Sequence, residues 1–477
     1  MQSRKDQVQA HMFVMGRLSS GLLRLEPDGL DQPVTRTSRG ALGGILVAAL
    51  VCLVVALFGF VVPGGNTKWQ KSGTLVLVED TGARYLSIDG VLHPVHNLTS
   101  ARLLAGGNLT VSSVKSKSLR EAPRGPAVGV AGAPDSLPAP ENLDGQVWTA
   151  CATWSVQATG IVKPGLSLVI GAPPQGTGVN KESAIAVAGP DGHEYLLWNG
   201  SRLRLRSSKD VRQAIGAGAA ELPPVSAAFL GVVPAGPDLG VPVTPRAGQA
   251  GPTLAGQPTR IGQLFADSRQ SHYLLTSEGL VALTPLLFAL YRADSRTQAE
   301  AYGGQAIAVK QLGPGDVSQH LNPEQLQETG NLPATVPEIV SPASTQALCA
   351  EARMTAGGTI TSFVVTEPTA PAGSPPEAGS AITPSCLPAQ YIQVDPGHGV
   401  LAADMLPGGT TGSAYHLVTD SGVKYALASE DAMAALGYAP DQAMTVPGAW
   451  LNLLPTGPVL DDRAHSQAVG ERRRACI

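Results

Sequence analysis

Two glycine-containing segments with a lysine come nearest to catalytic chemistry: GGNTKWQKS at 64–72 and GTGVNKES at 176–183. A phosphate-binding loop needs GxxxxGK[ST], because successive backbone amides and one lysine must converge on the phosphate oxygens. Gln70 stands where the first segment needs its last glycine, and Asn180 takes that place in the second. ATP binding is therefore not expected. His93-Pro94-Val95-His96 offers two imidazoles without a third ligand nearby, short of the three or four a metal requires. Asp395-Pro396-Gly397-His398 pairs an acid with a base, but Pro-Gly between them reads first as a tight turn. Gly-x-Ser-x-Gly does not occur. The glycosylation sequons at Asn97, Asn108 and Asn199 are short enough to arise by chance. No catalytic, metal or cofactor set is expected.

Cysteines carry the remaining chemistry. Beyond Cys52 there are Cys151, Cys349, Cys386 and Cys476, which allow three complete pairings. There is no CxxC, so zinc-ribbon spacing is absent. Cys151 and Cys349 lie in strand-like segments, QVWTACATWSVQA (146–158) and ALCAEARMTAGGTITSFVVTE (347–367). A bond between them would close a loop of about 198 residues, for which chain entropy gives on the order of 5 kcal/mol. Cys386, in a proline-flanked loop, is the rival partner. Cys476, near the C-terminus, is expected to be unpaired.

Whether any of these oxidise depends on the compartment, and residues 41–62, ALGGILVAALVCLVVALFGFVV, decide that. They contain no charge and, as a helix, reach about 33 Å, enough to cross the hydrocarbon core. The exit, Val61-Val62-Pro63-Gly64-Gly65, has no small-residue cleavage pattern, so a permanent single span is expected, with Cys52 packing inside it. Arg4, Lys5, Arg17, Arg24, Arg36 and Arg39 precede it, whereas Lys68 and Lys71 alone follow closely. That bias places the N-terminus in the cytoplasm and residues 63–477 outside it. Within the 1–40 arm, Val8, Met12, Met15, Leu18 and Leu22 recur at spacings of three and four. This predicts an amphipathic helix ending near Pro27, its apolar stripe either docked on another subunit, the favoured reading, or laid on the inner leaflet.

The body beyond the span is mildly acidic, with 27 basic against 33 acidic residues, and lacks the basic face nucleic acid would need. Aromatics make up only 4%, and 55 glycines and 39 prolines punctuate the chain. Small β-rich modules with short connections follow from that composition. Four segments are alike: LVLVEDTGARYLSIDG (75–90), AIAVAGPDGHEYLLWNG (184–200), LFADSRQSHYLLTSEG (264–279) and YHLVTDSGVKYALASED (415–431). Each reads as a β-hairpin whose second strand is led by a tyrosine, Tyr85, Tyr195, Tyr273 or Tyr425, with a helical tail. The third lacks a turn glycine. Unequal spacing rules out a solenoid.

The expected fold is one transmembrane helix followed by a mainly β (α+β) region, with four hairpin/helix repeats around a central β domain in an elongated pseudo-two-fold arrangement. The expected boundaries are arm 1–40, span 41–62, repeats 70–119, 184–245, 246–300 and 413–454, central domain 120–183 with 301–412, and flexible tail 455–477. PAGPDLGVPVTPRAGQAGP (234–252) and TEPTAPAGSPPEAGS (366–380) read as connections.

Together the arm SRKDQVQAHMFVMGRL, the Arg-flanked span, VVPGG and the four repeats resemble the EccB family, a core membrane component of the actinobacterial type VII (ESX) secretion system. The family's linker after the first repeat is similar to RGPAVGVAGAPDSLP (124–138), and its central-domain disulfide maps onto Cys151 and Cys349. Cys386 falls outside the family pattern. The resemblance implies a structural subunit of the inner membrane without a cofactor. It also implies an outer domain that dimerises and helps form or gate the periplasmic part of the export channel. Its implied neighbours are an EccC-like FtsK-type ATPase, an EccD-like multi-span channel subunit, an EccE-like subunit and a mycosin-type subtilisin-like protease. The alternative from the residues is a membrane-anchored ATPase or cell-wall-binding protein.

Overall fold

The computed structural model describes residues 4–24, 33–61, 67–156, 160, 162–323, 331–355, 358–367, 373–406 and 409–462. The chain separates into two compact units, one comprising residues 1–69, 78–82 and 113–122 and the other 70–77, 83–112 and 123–477.

Two helices dominate the first unit, α1 (Arg4–Arg24) and α2 (Pro33–Val61). On α1 the stripe Val8, Met12, Met15, Leu18 and Leu22 is exposed throughout. In α2, residues Ser38–Leu57 have a mean hydropathy of 2.7 and no buried residue. A helix apolar on every side and covered on none fits hydrocarbon as its solvent. It starts before the predicted span because Pro33, whose missing N–H costs nothing at a first turn, opens it. Elsewhere in this unit Asp80 accepts hydrogen bonds from Ser116 N (2.9 Å) and Oγ (2.6 Å), which hold its carboxyl below the usual range.

Each repeat is a three-stranded meander, a helix and a short closing strand. Module 1 runs β1 (Thr74–Val78), β2 (Arg84–Ile88), β3 (Val91–Pro94), α3 (Leu98–Ala105), β4 (Thr110–Val114). Next come β5 (Val147–Val156), β6 (Val162–Ile170) and β7 (Thr177–Gly178) of the central sheet. Module 2 follows with β8 (Ser183–Ala188), β9 (Glu194–Trp198), β10 (Ser201–Arg204), α4 (Ser208–Ala214) and α5 (Ala227–Val232). Module 3 has β11 (Leu264–Ala266), β12 (His272–Thr276), β13 (Gly279–Leu283), α6 (Pro285–Ala293), α7 (Ser295–Tyr302), β14 (Lys310–Gln311) and α8 (Pro314–His320). After β15 (Glu338–Ile339), the central strands β16 (Ala347–Thr355), β17 (Gly358–Thr366) and β18 (Tyr391–Val394) lead into module 4. That module is β19 (Val400–Met405), β20 (Thr411–Val418), β21 (Lys424–Ala426), α9 (Glu430–Leu436), β22 (Met444–Val446) and α10 (Gly448–Leu451).

Local chemistry explains the hairpins. Gly82, Gly192 and Gly422 occupy left-handed backbone conformations in the turns, and in the glycine-free third turn Gln270 adopts φ +63° in their place. Asp89-Gly90 and Asn199-Gly200, all at positive φ, make the tight second turns of modules 1 and 2. Asn97, Thr284 and Ser429 cap α3, α6 and α9 by accepting from the backbone N–H three residues on.

Each four-stranded sheet is closed by a strand parallel to the module's first, in the orders β3-β2-β1-β4, β10-β9-β8-β15, β13-β12-β11-β14 and β21-β20-β19-β22. The predicted boundaries differ here. β14 and β15 belong to modules 3 and 2 rather than to the central domain, and β19 belongs to module 4, which begins at Val400 rather than at 413. A parallel partner must return through a helical crossover, so it lies far along the chain, and at two or three residues it shows no periodicity. The tail expected from 455 is also ordered in part: Thr456 bridges Lys424 and Leu460 bridges Leu427. Residues 463–477, including Cys476 and Arg472–Arg474, lie outside the described residues.

The central six-stranded sheet runs β18-β6-β5-β16-β17-β7. One face packs Trp148, Leu168, Leu348 and Phe363 against apolar residues of module 2 (Ile185, Leu197) and module 4 (Val400, Val418). Trp148 meets Trp450 edge to face at 6.3 Å between centroids. Modules 1 and 4 share a core around Leu103, Leu417 and Met433. Modules 2 and 3 share another around Leu203, Leu264 and Leu287.

Candidate functional site

Cys151 on β5 and Cys349 on β16 stand opposite each other in antiparallel register and form a disulfide. Alternation along β5 sends Trp148, Ala150 and Ala152 into the core and turns Thr149, Cys151 and Thr153 to the other face. That face floors a groove of about 390 Å³, with Ser167, Thr366 and Gln393 on its sides. Cys349 is fully buried, whereas Cys151 is partly accessible. Its lining is mostly hydroxyls and amides, with one carboxylate, Glu367, which accepts from Gln346 Nε2 at 2.8 Å.

Three of the four signature tyrosines are equivalent. Tyr85, Tyr195 and Tyr273 sit on the second strand of their meanders, opposite Pro94, Arg204 and Ala282 on the third. Tyr195 donates to Asp191 (2.6 Å) and Tyr273 to Asp267 (3.1 Å), each pinning the turn before it. The Tyr195 bond holds Asp191 below the usual carboxylate range, and burial raises the phenol. Arg124 lies over the Tyr85 ring, 5.8 Å from its centroid. Tyr425 is different. It lies on the third strand, opposite Leu417, and the second-strand position belongs to His416, opposite Ala426. The local strand–turn–Tyr pattern recurs in module 4, but β19 takes the first place in the meander and moves that hairpin one strand along.

The remaining candidates are placed as follows. Thr177-Gly178 form β7, and Val179 N donates to Phe363 O (2.8 Å), so amides of GTGVNKES are committed to β17. Lys181 O accepts from Trp198 Nε1 (2.8 Å). Of GGNTKWQKS, residues 64–66 lie outside the described residues and Thr67–Gln70 form a 3-10 turn. His93 Nδ1 contacts Pro126 O at 3.0 Å. Asp395–His398 is a tight turn closed by His398 N to Asp395 O (2.9 Å), and the His398 ring pairs instead with Asp144 at 2.7 Å. Among the described residues no group of three or more His, Cys, Asp or Glu could hold a metal ion. Cys52 is a free thiol, and Cys386 is disulfide-bonded.

Sequence reasoning missed a second signature. After each helix the chain returns parallel to the meander's third strand, bridging Leu92 to Arg124, Arg202 to Ala235, Leu280 to Leu321 and Lys424 to Thr456. In three modules the next residues are Gly-Pro: 125–126, 236–237 and 457–458. A Cβ at Gly125, Gly236 or Gly457 would overlap the side chain of His93, Leu203 or Tyr425. The recurring Gly-Pro-x-Val/Leu was visible in the sequence, inside stretches read as linker and tail.

A buried polar group in module 4 was also missed. Lys424 Nζ donates to Leu451 O at 2.6 Å, and His416 Nδ1 lies 3.5 Å from Asp404 Oδ1 without a hydrogen bond. Burial lowers both bases; Asp404 opposes this, while Lys424 pushes His416 further down.

Comparison with known proteins places this architecture. The family model described as "Type VII secretion system ESX-1, transport TM domain B" matches residues 1–470. The "ESX-3 secretion system ATPase EccB3" of Mycolicibacterium smegmatis is 30% identical over 96% of this chain and 89% of its own length. The "ESX-5 secretion system ATPase EccB5" of Mycobacterium tuberculosis is 27% identical, over 96% of this chain and 92% of its own. A chain of the periplasmic assembly from the ESX-5 inner membrane complex superposes with a TM-score of 0.67 at 25% identity, covering 87% of this chain and all of that one. The EccB3 dimer from the ESX-3 core complex gives 0.66 at 24% identity, covering 83% of this chain and 100% of that one. From its N-terminal arm through its sheets, this chain belongs to the EccB family of type VII secretion systems.

Proposed function

We propose that this chain is a structural core subunit of an ESX secretion complex in the inner membrane. It is anchored by α2, with the arm in the cytoplasm and the sheets outside, where it self-associates and contributes to the outer part of the export channel. The observation that carries the reading is the end-to-end family match, which runs through arm, apolar helix and outer sheets without interruption. One relative of like fold is named as part of the ESX-5 inner membrane complex and another as an EccB3 dimer from the ESX-3 core complex. Basic residues crowd the N-terminal flank of α2, which supports the orientation. The bare stripe on α1 has no core of its own to cover, which supports docking onto EccC-like, EccD-like or EccE-like neighbours.

Extraction in mild detergent tests the reading. A particle many times 48.9 kDa is expected, and a monomer under those conditions overturns it. An alkaline phosphatase fused after Ile477 should be active, and a silent fusion overturns the orientation. The relatives' names carry the word ATPase, which favours a second reading, nucleotide hydrolysis. Turnover by the purified chain that Lys181→Ala abolishes would establish it.

A further inference from the structure

Lys424 places an ammonium where modules 1 and 3 place a leucine. It is 9% exposed on β21. The corresponding positions hold Leu92 in module 1, Arg202 in module 2 and Leu280 in module 3, so two modules close without a cation there and Lys424 is not required for closure. Among the described residues its Nζ makes one hydrogen bond, to Leu451 O, which leaves two of its three N–H donors without a partner there. Asp404 acts on it electrostatically, but no hydrogen bond joins the two among the described residues, and Asp404 Oδ1 lies 3.5 Å from His416 Nδ1. A buried ammonium with no anion in direct contact is costly.

What Lys424 faces is a cavity of about 190 Å³ shared with Ser385, Asn452, Thr456 and Leu454. Ser385 already donates to Asn452 O, while the Asn452 amide and Thr456 hydroxyl have no side-chain partner among the described residues. Leu387 and the disulfide-bonded Cys386 give the cavity an exposed rim. The geometry points to an oxyanion-binding site: a carboxylate or phosphate group held by the Lys424 ammonium, with Asn452 and Thr456 supplying further hydrogen bonds. Water occupies about 30 Å³ per molecule, so the cavity takes such a group with a small attached moiety. Charge-assisted bonds to a desolvated ammonium are the strong kind, and they would be made where competing water is few.

The test uses the full chain in detergent, replacing chloride by acetate or by inorganic phosphate at constant ionic strength. A saturable rise in Tm is expected with at least one anion. Acetate alone responding assigns a carboxylate, and phosphate alone assigns a tetrahedral group. Lys424→Met, which restores the apolar character of modules 1 and 3, should weaken the response about tenfold or more. Asn452→Ala, at an exposed position, should also weaken it and carries the comparison if Lys424→Met does not fold. No rise in the unaltered protein overturns the site. So does an equal rise in the variants, which marks a general salt effect.

Discussion

Cys151 and Cys349 are 198 residues apart in sequence and 3.9 Å apart at Cα, directly opposite on neighbouring central strands. Everything between them, modules 2 and 3 included, is therefore one closed loop. Without the bond, the pairing of β5 with β16 would have to be held by hydrogen bonds and packing alone.

Cys151→Ser or Cys349→Ser should each destabilise the β-sheet region by about 2–5 kcal/mol, mostly through the longer unfolded chain. Each variant should also show one additional reactive thiol on denaturation in maleimide labelling. Unchanged melting in both would mean the strands are pinned without the bond.

The closing glycines make a graded prediction. Gly457→Ala should cost about 1–3 kcal/mol, because the new methyl would press on the ring of fully buried Tyr425. Gly178→Ala has nothing within 4 Å and should stay within about 0.5 kcal/mol of the parent. Denaturant midpoints of the two variants provide the measurement.

Acid should loosen module 4. Burial lowers His416 from the ordinary value of 6.5, so the unfolded chain holds its proton to higher pH than the folded one. Its contribution is complete above about pH 6.5 and is lost as pH falls toward the lowered folded value, at up to about 1.4 kcal/mol per pH unit. Melting curves between pH 7.5 and 5 should fall less steeply for His416→Gln. Equal slopes would place the acid sensitivity elsewhere.

Lys181→Ala should be silent in stability, within about 0.5 kcal/mol, because what Trp198 uses is the Lys181 carbonyl rather than its amine. It should likewise leave any nucleotide hydrolysis of the assembled complex unchanged. A phosphate-release assay on both forms decides, and loss of activity would favour the ATPase reading.

Much was determined locally and so could be read from the sequence. An uncharged run of helical length leaves few structures open to it, and α2 follows. The hairpins at 75–90, 184–200 and 264–279 carry their own turn chemistry in Gly82, Gly192 and, unexpectedly, Gln270. Alternation in 146–158 and 347–367 marked the two strands that bear the paired cysteines. What only the tertiary structure decided is which distant segments pair. Met444–Val446 joins β19 and Glu338–Ile339 joins β8 through parallel contacts, and pieces that short contain no pattern. The same cause moved Tyr425 off the second strand and gave that place to His416. A hairpin motif fixes its own two strands, but its position in a sheet is set by whichever apolar strand can pack beside it. Burial of Lys424 is likewise invisible along the chain, because its neighbours Leu451 and Thr456 meet it only after α9 and β22 have turned the chain back.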